Sequence, residues 1–187
     1  QGKLTFQRQL RAMATEAVLE YYLPTIEQRA DVYLPSPKLI LEYQCSPISF
    51  AELSRRTANY QSLGIDVVWV LGDRHLNAAK RLDGVAKFAR FSTQLGFYII
   101  FYSAKNQQFR IDFQIREVAG KLTSHMRLFK TLAELKRFID HPPSALQQYS
   151  VRATNSAILH QLNRIQRSIV LKNPTYLDMV TRCYQRR

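Results

Sequence analysis

Two carboxylates and an amide along the segment RADVYLPSPKLILEYQCS are the side chains here best suited to gripping a hard cation: Asp31, Glu42 and Gln44. Side chains two apart on a strand share a face, so Glu42 and Gln44 point together, and a hairpin between the two extended stretches brings Asp31 beside them. The result is a small oxygen-lined pocket. Two carboxylates, helped by the carbonyl of Tyr43, suit Mg²⁺ or Mn²⁺, ions that prefer oxygen and retain waters. An ion held there polarises a phosphodiester and lowers the pKa of an attacking water. Glu20 is a third acid that the preceding element can bring close to Asp31. Buried carboxylates are costly without a cation, which makes metal their natural partner. The spacing alone also allows a structural role, in which Asp31 starts a strand and Glu42 pairs with Arg29 or Arg56.

Several elements must position these groups. From Leu4 to about Leu19 apolar residues recur near helical spacing, with Gln and Arg opposite, which predicts an amphipathic helix running into a short strand, VLEYYL, ended by Pro24. ADVYLP and LILEYQ read as strands around the turn-forming SPK. In SFAELSRRTANYQSLG, Ser49 caps a helix, Glu52 completes a capping box, and Gly64 sits at the C-cap; Phe50, Leu53, Tyr60 and Leu63 face the core. DVVWVLG is a valine-rich strand buried on both faces. AAKRLDGVAKFARFSTQLG reads as an interrupted helix, GFYIIFY and NQQFRIDFQI as a hairpin turning near Lys105 and Asn106, and LAELKRFI as a short helix. Pro142 and Pro143 mark a boundary, giving an α/β domain over 1–140 and a basic helical region over 141–187 split at Asn173-Pro174.

Composition narrows the partners. The 187 residues, 46% hydrophobic, suffice for one sizeable core. Twenty-seven Lys and Arg against 14 Asp and Glu give a formal +13, which favours nucleic acid, because neutralised phosphates release counterions, and also suits an anionic membrane or another acidic macromolecule. No run approaches the roughly 20 apolar residues of a membrane span, and the opening segment lacks a secretory apolar core. Cys45 and Cys183 show no CxxC spacing and the four histidines form no metal-ligand pair, so zinc is not expected and both cysteines read as buried thiols of a cytoplasmic protein.

RADVYLP followed by LILEYQCSPISFAELSRRTANYQSLGIDVVWVLG resembles the nuclease-like domain of the competence protein CoiA family, densely over Arg29 to Gly72. The resemblance implies the PD-(D/E)XK nuclease-like superfamily: a restriction-endonuclease-like α/β core with a central mixed β-sheet flanked by helices. It also implies a link to DNA processing and recombination in natural transformation. On this resemblance Asp31 and Glu42 match the acidic pair, Glu20 the preceding acid, and Gln44 stands where the general pattern has Lys. Arg56 and Tyr60 match family positions. Gln44 cannot carry a positive charge or act as a base, although its amide can orient a water or a phosphate oxygen. Family members also carry a preceding cysteine-containing region, so the resemblance implies a piece of a longer protein.

Arg56 and Tyr60, one turn apart, either contact a scissile phosphate or serve structurally, Arg56 pairing with Glu42 or Glu52 and Tyr60 packing in the core. Trp69 reads as core and His75 as a solvated loop residue. The basic C-terminal region, with Arg152, Arg164, Arg167, Lys172, Arg182, Arg186 and Arg187, reads as a phosphate-contacting surface. Two functions follow. One is a metal-dependent DNA phosphodiesterase using Asp31, Glu42 and Glu20, with Gln44 and Arg56 orienting water and phosphate. The other is a non-catalytic DNA-binding module engaging a recombinase or other competence proteins.

Overall fold

The computed structural model describes residues 2–11, 16–78, 85–92, 94–118, 121–144 and 146. Its elements run α1 (Gly2–Arg11), β1 (Val18–Leu23), a 3-10 turn (Pro24–Ile26), β2 (Gln28–Leu34), β3 (Leu39–Gln44), α2 (Phe50–Ser62), β4 (Asp66–Leu71) and α3 (Asp73–Ala78). A second 3-10 turn (Ala86–Phe88), β5 (Arg90–Ser92), β6 (Gly96–Ser103), β7 (Gln108–Val118), β8 (Lys121–Phe129) and α4 (Leu132–Asp140) follow. The strands hydrogen-bond in the order β1-β2-β3-β4-β6-β7-β8, with β5 on β6. This is a mixed α/β sheet with helices, as expected. No described helix is long and apolar enough to cross a membrane.

The chain divides into two compact units. The first comprises residues 1–77, 100–110 and 129–133. Within it β1, β2 and β3 form an antiparallel meander, whereas β3, β4 and β6 run parallel. Parallel neighbours need a crossover, and α2 supplies the one between β3 and β4. Its start is set as the sequence predicts: the Ser49 hydroxyl accepts from the Glu52 amide at 3.1 Å. Gly64, at φ +69, takes the left-handed conformation one residue past the C-cap Leu63. Leu53 and Tyr60 are buried, while Phe50 and Leu63 are only partly covered. α1 buries Phe6, Gln7 and Leu10, and Phe6 stacks on Tyr43 with centroids 4.9 Å apart.

The second unit comprises residues 78–99, 111–128 and 134–187. Phe138 of α4 meets Phe113 of β7 edge-on at 5.4 Å. Here the sequence expectations need correction. The helix predicted across AAKRLDGVAKFARFSTQLG is, where described, a 3-10 turn and the strand β5, which pairs antiparallel with β6 from Arg90↔Tyr98 to Ser92↔Gly96. A tight return ending at Gly96, φ +63, makes that pairing possible. β8 was not foreseen, because His125, Met126, Arg127 and Leu128 are all exposed and leave no alternating pattern to read. The first helix is described only to Arg11, short of the expected Leu19. The basic region beyond 146, with Cys183 and the seven cations named above, lies outside the described residues.

Candidate metal and phosphate site

The antiparallel ladders locate the site. β1 and β2 pair as Val18↔Tyr33, Leu19↔Val32, Tyr21↔Ala30, Tyr22↔Arg29 and Leu23↔Gln28, so the register skips one couple, Glu20 and Asp31. β2 and β3 pair from Leu34↔Leu39 to Val32↔Leu41 and stop before the next couple, Asp31 and Glu42. The three acids thus lie in line across three strands, where both ladders are interrupted. Glu20 sits at φ +51, a conformation costly for a residue with a Cβ, and this marks the break on β1. On the β3 side the Asp31 carboxylate replaces a ladder acceptor: its Oδ2 takes the Tyr43 amide at 2.7 Å.

Two cations reach the row. Lys3 of α1 spans Glu20 Oε1 at 2.7 Å and Asp31 Oδ1 at 2.6 Å. Gln7, one turn on, donates to Glu20 Oε1 at 3.1 Å and to the Asp31 carbonyl at 3.4 Å. On α2, Arg56 meets Glu42 Oε1 at 2.5 Å, and the Tyr60 hydroxyl donates to the same oxygen. Gln28 holds α2 against β2, donating to the Arg56 carbonyl and accepting from Asn59. Arg56 therefore pairs with Glu42, and the fully buried Tyr60 bonds the same carboxylate, which is the structural role expected of both residues.

Glu42 is 2% exposed. Burial, then the neighbouring Asp31 charge, pushes its carboxyl up to about 7, although Arg56 and Tyr60 pull the other way. Burial and the adjacent Glu42 push the Tyr60 hydroxyl up, so it stays a donor. Glu20 behaves oppositely: its hydrogen bond from Lys3 holds it below the usual range. Burial alone would lower the Lys3 ammonium, yet its bonds to Asp31 and Glu20 raise it.

Gln44 does not join the acids through its amide, which donates to the Ser46 carbonyl at 2.5 Å. Trp69 lies in the core at 7% exposure, its indole N–H on Thr57 Oγ1 at 3.2 Å and the Arg56 guanidinium 5.3 Å over its ring. His75 is not a solvated loop residue: it is buried on α3 with Nε2 3.3 Å from the Ser46 carbonyl. Cys45 is exposed and free of any disulfide, against the expected burial, because it follows the end of β3. Lys3 and Gln7 were missed. Their signal was present, since they lie on the stripe of α1 that carries Phe6 and Leu10, where a lysine and a glutamine need polar partners. No group of three or more His, Cys, Asp or Glu among the described residues is placed to hold a metal.

A mixed sheet flanked by helices and interrupted at a row of acids is compatible with a nuclease-like α/β core. The chain belongs to the family described as Competence protein CoiA, nuclease-like domain, whose model matches residues 1–138. It is similar to Competence protein CoiA of Bacillus subtilis (strain 168), 32% identical over 74 residues, which are 38% of this chain and 20% of that protein. The matched stretch thus spans about a fifth of that relative's length. No solved structure matches.

Proposed function

We propose that this chain serves natural competence as a divalent-metal-dependent deoxyribonuclease. The family and the named relative support the competence role. The observation that carries the chemistry is the pair Asp31 and Glu42 at the ladder break, with Glu42 buried and its charge destabilised by burial and by Asp31. A buried acid whose ionised form is disfavoured gains most from a cation. The donor set fits Mg²⁺ or Mn²⁺: both described bonds to Glu42 fall on Oε1, leaving Oε2 with its lone pairs unshared, and Asp31 lies beside it. Asp31 and Glu42 would hold the ion, with the Tyr43 carbonyl and waters as further ligands. When bound, the ion supplies charge to the phosphodiester and acidifies a water.

The chain's own residues do the rest. Arg56, held between Glu42 and Trp69, presents a guanidinium able to take a phosphate oxygen. Lys3 brings to Asp31 the positive charge that Gln44 lacks, from a different element. Glu20 holds Lys3 in place from the other side. Gln44 orders the Cys45–Ser46 segment that follows.

A second reading, a non-catalytic DNA-binding module working with a recombinase or other competence proteins, draws on one observation. Asp31 and Glu42 are already neutralised by Lys3 and Arg56, and those ion pairs must rearrange to admit a metal. Cleavage of labelled single- and double-stranded DNA with Mg²⁺, Mn²⁺ or EDTA separates the two. The nuclease reading expects metal-dependent cutting that Asp31→Ala and Glu42→Ala both abolish. Binding without cutting under every condition overturns it in favour of the accessory module, which expects Glu42→Ala to leave affinity unchanged or raised.

A further inference from the structure

Outside the carboxyl ends of the parallel strands β3, β4 and β6 lies a cavity of about 670 Å³. In open sheets built from parallel strands this is where ligands bind. All of its lining belongs to the first compact unit. Tyr43, whose amide serves Asp31, is among the residues that line it.

Each rim of this cavity is pinned by side chains with no part in the chemistry proposed above. After β3, the Ser46 carbonyl takes the Gln44 amide and lies 3.3 Å from His75 Nε2, which fixes Cys45 and Ser46. After β4 comes Gly72, where a Cβ would stand 2.9 Å from Cys45 Sγ and 3.1 Å from Tyr43 Oη, so glycine lets these residues close against the strand end. After β6, Asp73 accepts from Ser103 Oγ at 2.6 Å and from the Ala104 amide at 3.0 Å, and Ser103 Oγ in turn takes the Asn106 amide. The turn carrying Lys105 and Gln107 is thereby held in one shape.

The electrostatics follow from that pinning. Asp73, the carboxylate in the lining, accepts from neutral donors of the turn through both oxygens and keeps its negative charge, which Arg74 and Lys105 together outnumber. Arg74 and Lys105 are exposed and have no hydrogen-bond or ion-pair partner among the described residues, unlike Lys3 and Arg56. Two cations with no partner among the described residues, set against one carboxylate in the cavity lining, suit an anion. A volume within the roughly 300–1,000 Å³ of small-ligand pockets is generous for a bare phosphate and sufficient for a whole nucleotide.

We infer that this cavity holds one nucleotide of a DNA strand beside the scissile phosphate, with Arg74 and Lys105 on its phosphate and Cys45 and Ser46 along its sugar and base. The inference rests on the nucleic-acid reading above, but its test does not need cleavage. In EDTA, a fluorescent oligo-dT 20-mer is titrated against the full chain, Arg74→Ala/Lys105→Ala, and Lys38→Ala, whose exposed cation lies at the opposite end of β3. The double variant is expected to bind at least tenfold more weakly. Its log affinity against log salt should be shallower by about 0.7 for each contact removed. Lys38→Ala should change neither.

Cys45 supplies an independent readout. In the chain carrying Cys183→Ser, saturating oligo-dT is expected to slow alkylation of Cys45 by N-ethylmaleimide at least tenfold. Unchanged alkylation, together with a double variant that binds like Lys38→Ala, overturns the inference. Protection of Cys45 in a protein that never cuts DNA leaves the nucleotide site standing and removes the nuclease reading. Metal-dependent cutting with unchanged alkylation and a double variant that binds like Lys38→Ala does the reverse.

Discussion

Glu42 carries the clearest residue-level consequence. Its folded pKa near 7 lies above the ordinary 4.5, so between those values the folded chain keeps a proton that the unfolded chain has released. The sign is therefore fixed. Its contribution favours folding at and below pH 4.5 and declines as pH rises through 7, by up to about 3 kcal/mol. Urea unfolding at pH 5, 6, 7 and 8 should show stability falling along the series, and Glu42→Gln should flatten that fall. An equal slope in the variant would mean that Glu42 titrates normally. Lys3 makes a second prediction. Lys3→Met removes the resident cation from Asp31, so Mn²⁺ affinity by calorimetry should tighten several-fold while DNA cleavage falls. The strand pattern brings Asp31 and Glu42 together, the resemblance adds Arg56 and Tyr60, and the structure places Arg56 and Tyr60 on Glu42. The α1 stripe marks Lys3 as needing a polar partner but does not name Asp31, because the two lie 28 positions apart and only the packing of α1 brings them together.

At the scale of elements, legibility tracked how local the deciding forces are. α2 announced itself through Ser49, Glu52 and Gly64, each acting within a turn of its own helix. Removing the cap by Ser49→Ala should cost about 1 kcal/mol, read as a lower urea midpoint by circular dichroism. β5 was read as helix because its three residues are extended only through pairing with β6, a contact no window of sequence contains. β8 failed for a different reason, since an edge strand exposed over most of its length shows neither helical nor alternating periodicity. The ladder break at Asp31 was also invisible. It depends on Glu20 adopting a positive φ, which nothing in VLEYYL signals.

Across the whole molecule, the +13 charge was the most direct statement the sequence made. Much of the cationic surplus lies beyond residue 146, while within the first unit Lys3 and Arg56 are committed to acids and Arg74 and Lys105 have no acid partner among the described residues. DNA binding by the full chain should therefore be strongly salt-dependent, weakening at least tenfold between 50 and 200 mM salt in fluorescence anisotropy. A salt-insensitive affinity would remove phosphate contacts as its source.

The packing of Trp69 has a spectroscopic consequence. It is the sequence's single tryptophan, it stands opposite Glu42 in the β3–β4 register, and the guanidinium that grips Glu42 lies 5.3 Å from its ring. Whatever draws Arg56 away from Glu42 changes the charge over the indole. The intrinsic emission of the chain is consequently a label-free gauge of the Arg56–Glu42 ion pair.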